Sequence, residues 1–238
     1  MNSILKTNRI FFTAATVLAA VCMSCASSPR AEEQSASSEK VYAVTKQFSE
    51  KETYVDANIL YPSFPDCEPL SRTIKDAVLG SYATFKKDAP ELWKEYDDAR
   101  RSTDIDSAET TSPFTYSVEC TVYKYESYIS VLVETYTFIG GAHGSTELSS
   151  YTYDVRDGTY PTVEQLTGKT DEELSTYCRE NLKQTLGDYL WVDQGTQPES
   201  KTFSVFTCRN GEIIIYFGQY EVAPYSEGIQ TVVVPMAQ

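Results

Sequence analysis

Two rhythms of hydrophobic and polar positions divide this chain. Leu70, Ile74, Val78 and Tyr82 recur every four residues and meet Phe85, which is the stripe one face of an α-helix turns toward a core. Pro90 is expected to break that helix, because proline lacks the N–H and its ring crowds the preceding turn. A separate turn then carries Leu92, Trp93 and Tyr96, and residues 101–113 read as a polar loop. A second stripe starts at Leu174, Tyr177 and Cys178 and continues past Leu182 to about Leu186. It lies behind Thr170-Asp-Glu-Glu173, a capping box that marks a helix start.

Elsewhere the period is two. Tyr116, Val118, Cys120 and Val122 alternate with Ser117, Glu119 and Thr121, and after a turn near Glu126-Ser127 the pattern resumes at Ile129, Val131 and Val133. Gly140-Gly-Ala-His-Gly144 interrupts, Ser149–Asp154 forms a further strand, and Asp157-Gly158 is a hairpin turn signal. Tyr54–Tyr61, closed by Pro62 and Pro65, is a strand before the first helix. Phe203–Thr207, Glu212–Phe217 and Gln230–Val234 are strands after the second. The expected fold class is α+β: an antiparallel β-sheet with two main helices packed on it. A weak internal repeat suggests two similar α-β-β-β halves, 46–160 and 161–238. Tyr116-Ser-Val-Glu-Cys120 resembles Phe203-Ser-Val-Phe-Thr-Cys208 with one residue added.

The N-terminus changes the picture from fold to location. Lys6 and Arg9 precede an apolar run from Ile10 to Val21, too short to span a bilayer, which needs about 20 residues. Ser24 before Cys25 resembles the end of a bacterial lipoprotein signal, so residues 1–24 read as a signal peptide and Cys25 as the lipidated residue. Ordinary secretory cleavage nearby is the alternative. Residues 25–45 are small, polar and aperiodic, a flexible tether. The domain is then 46–238, outside the cytoplasm and lipid-anchored at the bacterial envelope, periplasmic or surface-exposed.

Charge narrows the partners. With 34 acidic and 20 basic side chains the chain carries a formal charge of −14. Such a surface repels nucleic acid and anionic headgroups and attracts a basic protein, or simply keeps an exported domain soluble. Besides Cys25, Cys67, Cys120, Cys178 and Cys208 allow two disulfides with three connectivities, or four buried thiols acting as small hydrophobes. If the repeat holds, Cys67–Cys120 and Cys178–Cys208 are the expected pairs. None of these four forms a C-x-x-C pair that would support zinc or redox chemistry, so no metal or cofactor is expected.

Candidate chemistry gathers in two segments. His143 is the sole histidine, too few for an ordinary catalytic zinc site, and no Gly-x-Ser-x-Gly elbow or P-loop accompanies it. Gly140, Gly141, Ala142, His143 and Gly144 read first as a sharp turn between strands that displays or pins the imidazole. Tyr220-Glu-Val-Ala-Pro-Tyr225 brackets Pro224 with two amphipathic rings. Tyr220, Glu221 and Tyr225 either contact a sugar or peptide or pack over the end of the sheet.

Together, Thr135–Gly144, Tyr153-Asp154 with Gly158, Phe217–Gly228 and Val233-Val-Pro235 resemble, in order and spacing, one domain family. It is the extracytoplasmic domain shared by RsiV-like lysozyme-sensing anti-sigma factors and the noncatalytic region of peptidoglycan deacetylase C. The resemblance covers roughly residues 52–236 and implies helices packed on antiparallel sheet. The sequence has no anti-sigma segment and no histidine set for a deacetylase metal. The expectation is therefore a noncatalytic envelope binding module for a surface protein, with lysozyme foremost, or for a peptidoglycan fragment. The Gly140–Gly144 and Tyr220–Tyr225 loops would bind it. A wall-processing enzyme using His143 or a carboxylate pair, and a structural envelope lipoprotein, are the alternatives.

Overall fold

A computed structural model describes residues 43–102, 112–187, 190–199 and 201–237. The expected signal peptide, the expected lipidation site Cys25 and nearly all of the expected tether lie outside the described residues. The first sheet has five strands in sequential order: β1 (Val44–Lys51), β2 (Val55–Ser63), β3 (Phe114–Tyr125), β4 (Tyr128–Phe138) and β5 (Ser145–Asp154). β1, which the sequence pattern did not announce, begins inside the expected tether. Its side chains are mostly exposed, as befits an edge strand, so it lacks a two-residue rhythm.

Helix α1 (Glu68–Ser102) joins β2 to β3, and that crossover makes their pairing parallel, whereas every other neighbouring pair is antiparallel. The expected break at Pro90 does not occur: α1 runs through it for 35 residues. Ala89, just before the proline, is buried, and beyond it Trp93 and Tyr96 pack on Phe114 with ring centroids 5.0 and 6.2 Å away. This burial of aromatic surface offsets the one hydrogen bond that proline removes.

The second part follows the same order of elements as α1-β3-β4-β5. Short helix α2 (Val163–Thr167) precedes α3 (Asp171–Leu186) and α4 (Leu190–Gly195), and the meander β6 (Phe206–Arg209), β7 (Glu212–Phe217), β8 (Gln230–Pro235) completes the chain. The capping box at Thr170 and Glu173 is formed, and α2 carries another at Thr162 and Gln165. Leu174, Cys178 and Leu182 of α3 bury against Ile213, Ile215, Val232 and Val234, while α1 buries against β2–β5.

The join between the parts is polar. The outward-facing backbone donors of β6 meet hydroxyls of β4 and β5: Phe206 N–H donates to Ser150 Oγ (2.8 Å) and Cys208 N–H to Ser130 Oγ (2.9 Å). Ser130 and Thr152, both buried, are themselves hydrogen-bonded at 2.8 Å. The polar half of the strand alternation is thus not a wetted face. It satisfies an otherwise open strand edge inside the protein.

The four described cysteines are free. Neither Cys67–Cys120 nor Cys178–Cys208 is bonded in this structure. Cys178 and Cys208 are buried among the apolar side chains of the second core, where Cys208 Sγ lies 3.5 Å from Met236 Sδ. Cys67 is buried in the first core, and Cys120 packs against it. Burial pushes the thiols of Cys120, Cys178 and Cys208 up to about 12. They remain protonated and unreactive near neutral pH.

Candidate functional site

The two segments singled out in the sequence occupy equivalent places, each linking the second and third strands of a meander. They meet in space. The glycine loop leaves β4 with Gly140 (φ +93°) and Gly141 (φ +91°) in the left-handed region that favours glycine. A side chain at Gly140 would collide with the ring of Tyr96 from the last turns of α1. A side chain at Gly144 would meet the ring of Tyr136. Gly141, Ala142 and His143 are exposed and Gly144 is buried, so the loop projects a short tip above an anchored base.

The second loop folds on itself first. Glu221 Oε2 accepts from Gly218 N–H (2.8 Å), and Glu221 N–H donates back to Gly218 carbonyl (3.2 Å). Val222 and Ala223 are buried in the second part of the molecule. Gly195 at the end of α4 abuts the Glu221 backbone so closely that no side chain would fit there. Pro224 then leads into a 3-10 turn, Tyr225–Glu227. Glu221 thus shapes the loop while remaining exposed.

Between the loops, the imidazole of His143 stacks on Tyr225 with centroids 3.9 Å apart and planes 22° from parallel. His143 Nδ1 lies 2.9 Å from Gly144 carbonyl, which can only accept, so Nδ1 carries the proton. The same carbonyl accepts from Tyr225 Oη at 3.3 Å. Gln219 Oε1 adds a third tie, accepting from Thr146 N–H at 3.1 Å. The row of rings continues: Tyr220 lies 5.7 Å from Tyr225, and Trp191 of α4 lies 6.1 Å from Tyr220.

Tyr220 is the most exposed large hydrophobic residue of the described chain, at 54%, and it holds φ +67°. A bulky residue in that region is strained, and strain of this kind concentrates at sites of function. Trp191 escaped the sequence reading. The residues around it carry no strand or long-helix rhythm, and only an isolated tryptophan in a polar stretch could have flagged it.

Among the described residues no serine, cysteine or carboxylate is hydrogen-bonded to His143. No group of three or more His, Cys, Asp or Glu side chains among them is placed to hold a metal, and no described helix is long and apolar enough to cross a membrane.

Comparison with known proteins matches this architecture part by part. Residues 48–146 fit the family model described as Deacetylase PdaC, and residues 165–237 fit the one described as Protein of unknown function (DUF3298). The chain is thus similar to PdaC and DUF3298 domains, in agreement with the resemblance carried by its two loops. Peptidoglycan-N-acetylmuramic acid deacetylase PdaC of Bacillus subtilis (strain 168) is 25% identical over 142 residues, 57% of this chain. The match spans only 30% of that protein's length. Two crystal structures share the fold. A DUF3298 family protein from Pseudomonas aeruginosa PAO1 has a TM-score of 0.52 at 18% identity, over 82% of this chain and 89% of its own. A DUF3298 family member from Bacteroides fragilis scores 0.58 at 15% identity, over 84% and 94%.

Proposed function

We propose that this protein is a noncatalytic module of the cell envelope that binds a basic surface-acting protein, with lysozyme as the first candidate. The carrying observation is the row His143–Tyr225–Tyr220–Trp191, exposed except for the half-buried Tyr225 and built by two loops and a helix from separate parts of the sequence. Tyrosine and tryptophan dominate binding hot spots because they bury much surface for little lost rotamer freedom. Glu221 and Glu227 are exposed in the same loop, and the chain as a whole carries −14. Lysine and arginine of a partner can pair with those carboxylates and lie over the rings. The PdaC relative is named for acting on peptidoglycan, which supports a wall-facing role here. Attachment through lipid on Cys25 belongs to the same reading.

The test is calorimetric titration of the protein with lysozyme at low and moderate salt. Saturable binding that survives moderate salt supports the reading. Heat seen only at low salt means charge attraction without recognition. No heat at either salt rejects lysozyme and turns the search to peptidoglycan fragments.

A further inference from the structure

Each of the two sheets has two edges, and among the described residues three of these four are wholly or partly taken. β5 is bridged at Asp154 to Thr159, and its Thr146 N–H donates to Gln219. β6 donates its Phe206 and Cys208 N–H groups to serine hydroxyls. β8 ends at Pro235, and its Val233 carbonyl accepts from the Tyr177 hydroxyl. β1 differs. It runs for eight residues in unbroken register with β2, without proline, and pairs with no described strand on its outer side. Open edges of this length are templates for a further strand.

The register fixes which groups face outward. Glu52 N–H donates to Val55 carbonyl (2.8 Å), so these two residues form a hydrogen-bonded antiparallel pair. Every second residue before Glu52, from Glu50 back to Val44, then turns its amide and carbonyl toward β2. The amides and carbonyls of Thr45, Gln47, Ser49 and Lys51 face the open side. Side chains alternate between the two faces of the strand. Phe48 packs on Tyr82 at 5.5 Å, Glu50 bonds the Tyr82 hydroxyl and the Lys86 ammonium, and Lys46 lines a cleft with Arg72 and Lys75. Lys46, Phe48 and Glu50 therefore share the α1 face. Gln47 and Ser49 lie on the opposite face, each bonded to Asn58 Oδ1 at 3.1 Å.

We propose that β1 pairs with β1 of a second copy of this chain, antiparallel about a two-fold axis at Phe48. In that register Gln47 opposes the partner's Ser49 and Thr45 the partner's Lys51, and these pairs hydrogen-bond through the outward-facing groups. Between them Lys46 opposes the partner's Glu50, and Phe48 opposes the partner's Phe48. The strand is self-complementary, because opposite charges stand two residues either side of one exposed phenylalanine. Glu50 and Lys51 already pair within the chain, with Lys86 and Asp56, whereas among the described residues Lys46 forms no ion pair. Sliding the partner by two residues, the smallest step that keeps the outward groups matched, sets Phe48 against Lys46 or Glu50 and loses the ring pair. The joined sheet also has room for its helices. Because α1 packs chiefly over β2, the two copies of α1 stand about three strand spacings, or roughly 14 Å, apart, against a helix diameter of roughly 10–12 Å. The Phe48 pair fills the trough between them.

The experiment is sedimentation equilibrium of the full chain carrying Cys22→Ser and Cys25→Ser, which removes the thiols that precede β1. A mass of two chains at about 100 µM is expected. Gln47→Pro deletes an outward N–H and leaves the β1–β2 ladder its donors, so it should weaken the dimer about tenfold or more. Lys46→Glu sets two carboxylates against each other across the axis and should weaken it too; this exposed position keeps the test valid if the proline variant unfolds. Under mild oxidation Phe48→Cys should form a disulfide between copies, because the two residues at the axis are within bonding reach, and Gln47→Cys should not. A single-chain mass at about 100 µM overturns the proposal. Slow hydrogen exchange at Gln47 and Ser49 in that single chain would show the edge covered by the chain's own preceding segment instead. A dimer that survives both Gln47→Pro and Lys46→Glu, or equal crosslinking through residues 47 and 48, overturns it as well. Lysozyme is absent from every step, so this edge and the ring row stand or fall separately.

Discussion

The imidazole of His143 lies flat on the ring of Tyr225, and both side chains converge on one acceptor, the carbonyl of Gly144. A histidine used this way is a clamp between two loops. Its stacking contributes on the order of 0.5–1.5 kcal/mol to holding the loops together. The row that extends from it to Trp191 is correspondingly preordered, which lowers the entropic cost of binding a partner.

If that row is the contact surface, its outer rings carry the binding and its inner pair carries the geometry. Tyr220→Ala and Trp191→Ala are expected to weaken lysozyme binding about tenfold each, near 1.4 kcal/mol, with little change in melting temperature. Tyr225→Phe keeps the stack but removes the hydroxyl bond to Gly144, at a cost of about 0.5–1.5 kcal/mol in stability. Calorimetric titration alongside thermal melts separates the two effects. Lysozyme affinity unmoved in both outer variants would remove the row from the interface.

The glycines of the first loop differ in what they permit. At Gly140 an added methyl group faces Tyr96 and the backbone sits at φ +93°, so relocating the tyrosine ring cannot relieve the strain. Gly140→Ala should cost at least about 1–2 kcal/mol. At Gly144 the obstacle is the far end of Tyr136, a part-exposed ring that can swing aside. Gly144→Ala is therefore the milder change, and adding Tyr136→Ala should recover most of its loss. Adding Tyr96→Ala should not rescue Gly140→Ala. Urea denaturation of the four variants decides the matter.

The sequence rhythm made α3, β3, β4 and β7 legible because each presents one buried face against one exposed or differently packed face. The two loops were legible as chemistry, but their contact was not: nothing in the chain states that residues 143 and 225 share an acceptor. The hydroxyl face of β4–β5 was misleading for a similar reason. Ser130, Ser150 and Thr152 have the composition of a wetted surface, yet they satisfy the backbone edge of β6. Asn210-Gly211, both at positive φ, turn β6 into β7 and are a hairpin signal that the chain displays openly. Trp191 had no such signal.

Pro90 is a place where local preference and tertiary packing conflict. Its ring is exposed on α1, so replacing it removes no core contact, while an alanine N–H there can donate to the carbonyl of Lys86 one turn earlier. Pro90→Ala should stabilise the protein by about 1 kcal/mol or more, toward the roughly 3 kcal/mol difference seen in helix interiors. A melting temperature that falls would show that the proline sets the path of Trp93 and Tyr96 toward Phe114.

The thiols make the most direct test of the cores. Because Cys120, Cys178 and Cys208 are free, a reducing agent should leave the melting temperature unchanged, and thiol reagents should react with them only on unfolding. Burial raises their pKa values from 9.0 to about 12, so the folded protein holds protons that the unfolded chain releases. By linkage, their stabilising contribution is fully present below about pH 9 and is lost as pH rises toward 12. Urea midpoints measured from pH 8 to 11 should therefore fall above pH 9, and Cys178→Ala should make that fall shallower. A midpoint lowered by reductant at pH 7 would instead reveal a disulfide and return the paired arrangement of Cys67–Cys120 and Cys178–Cys208 to consideration.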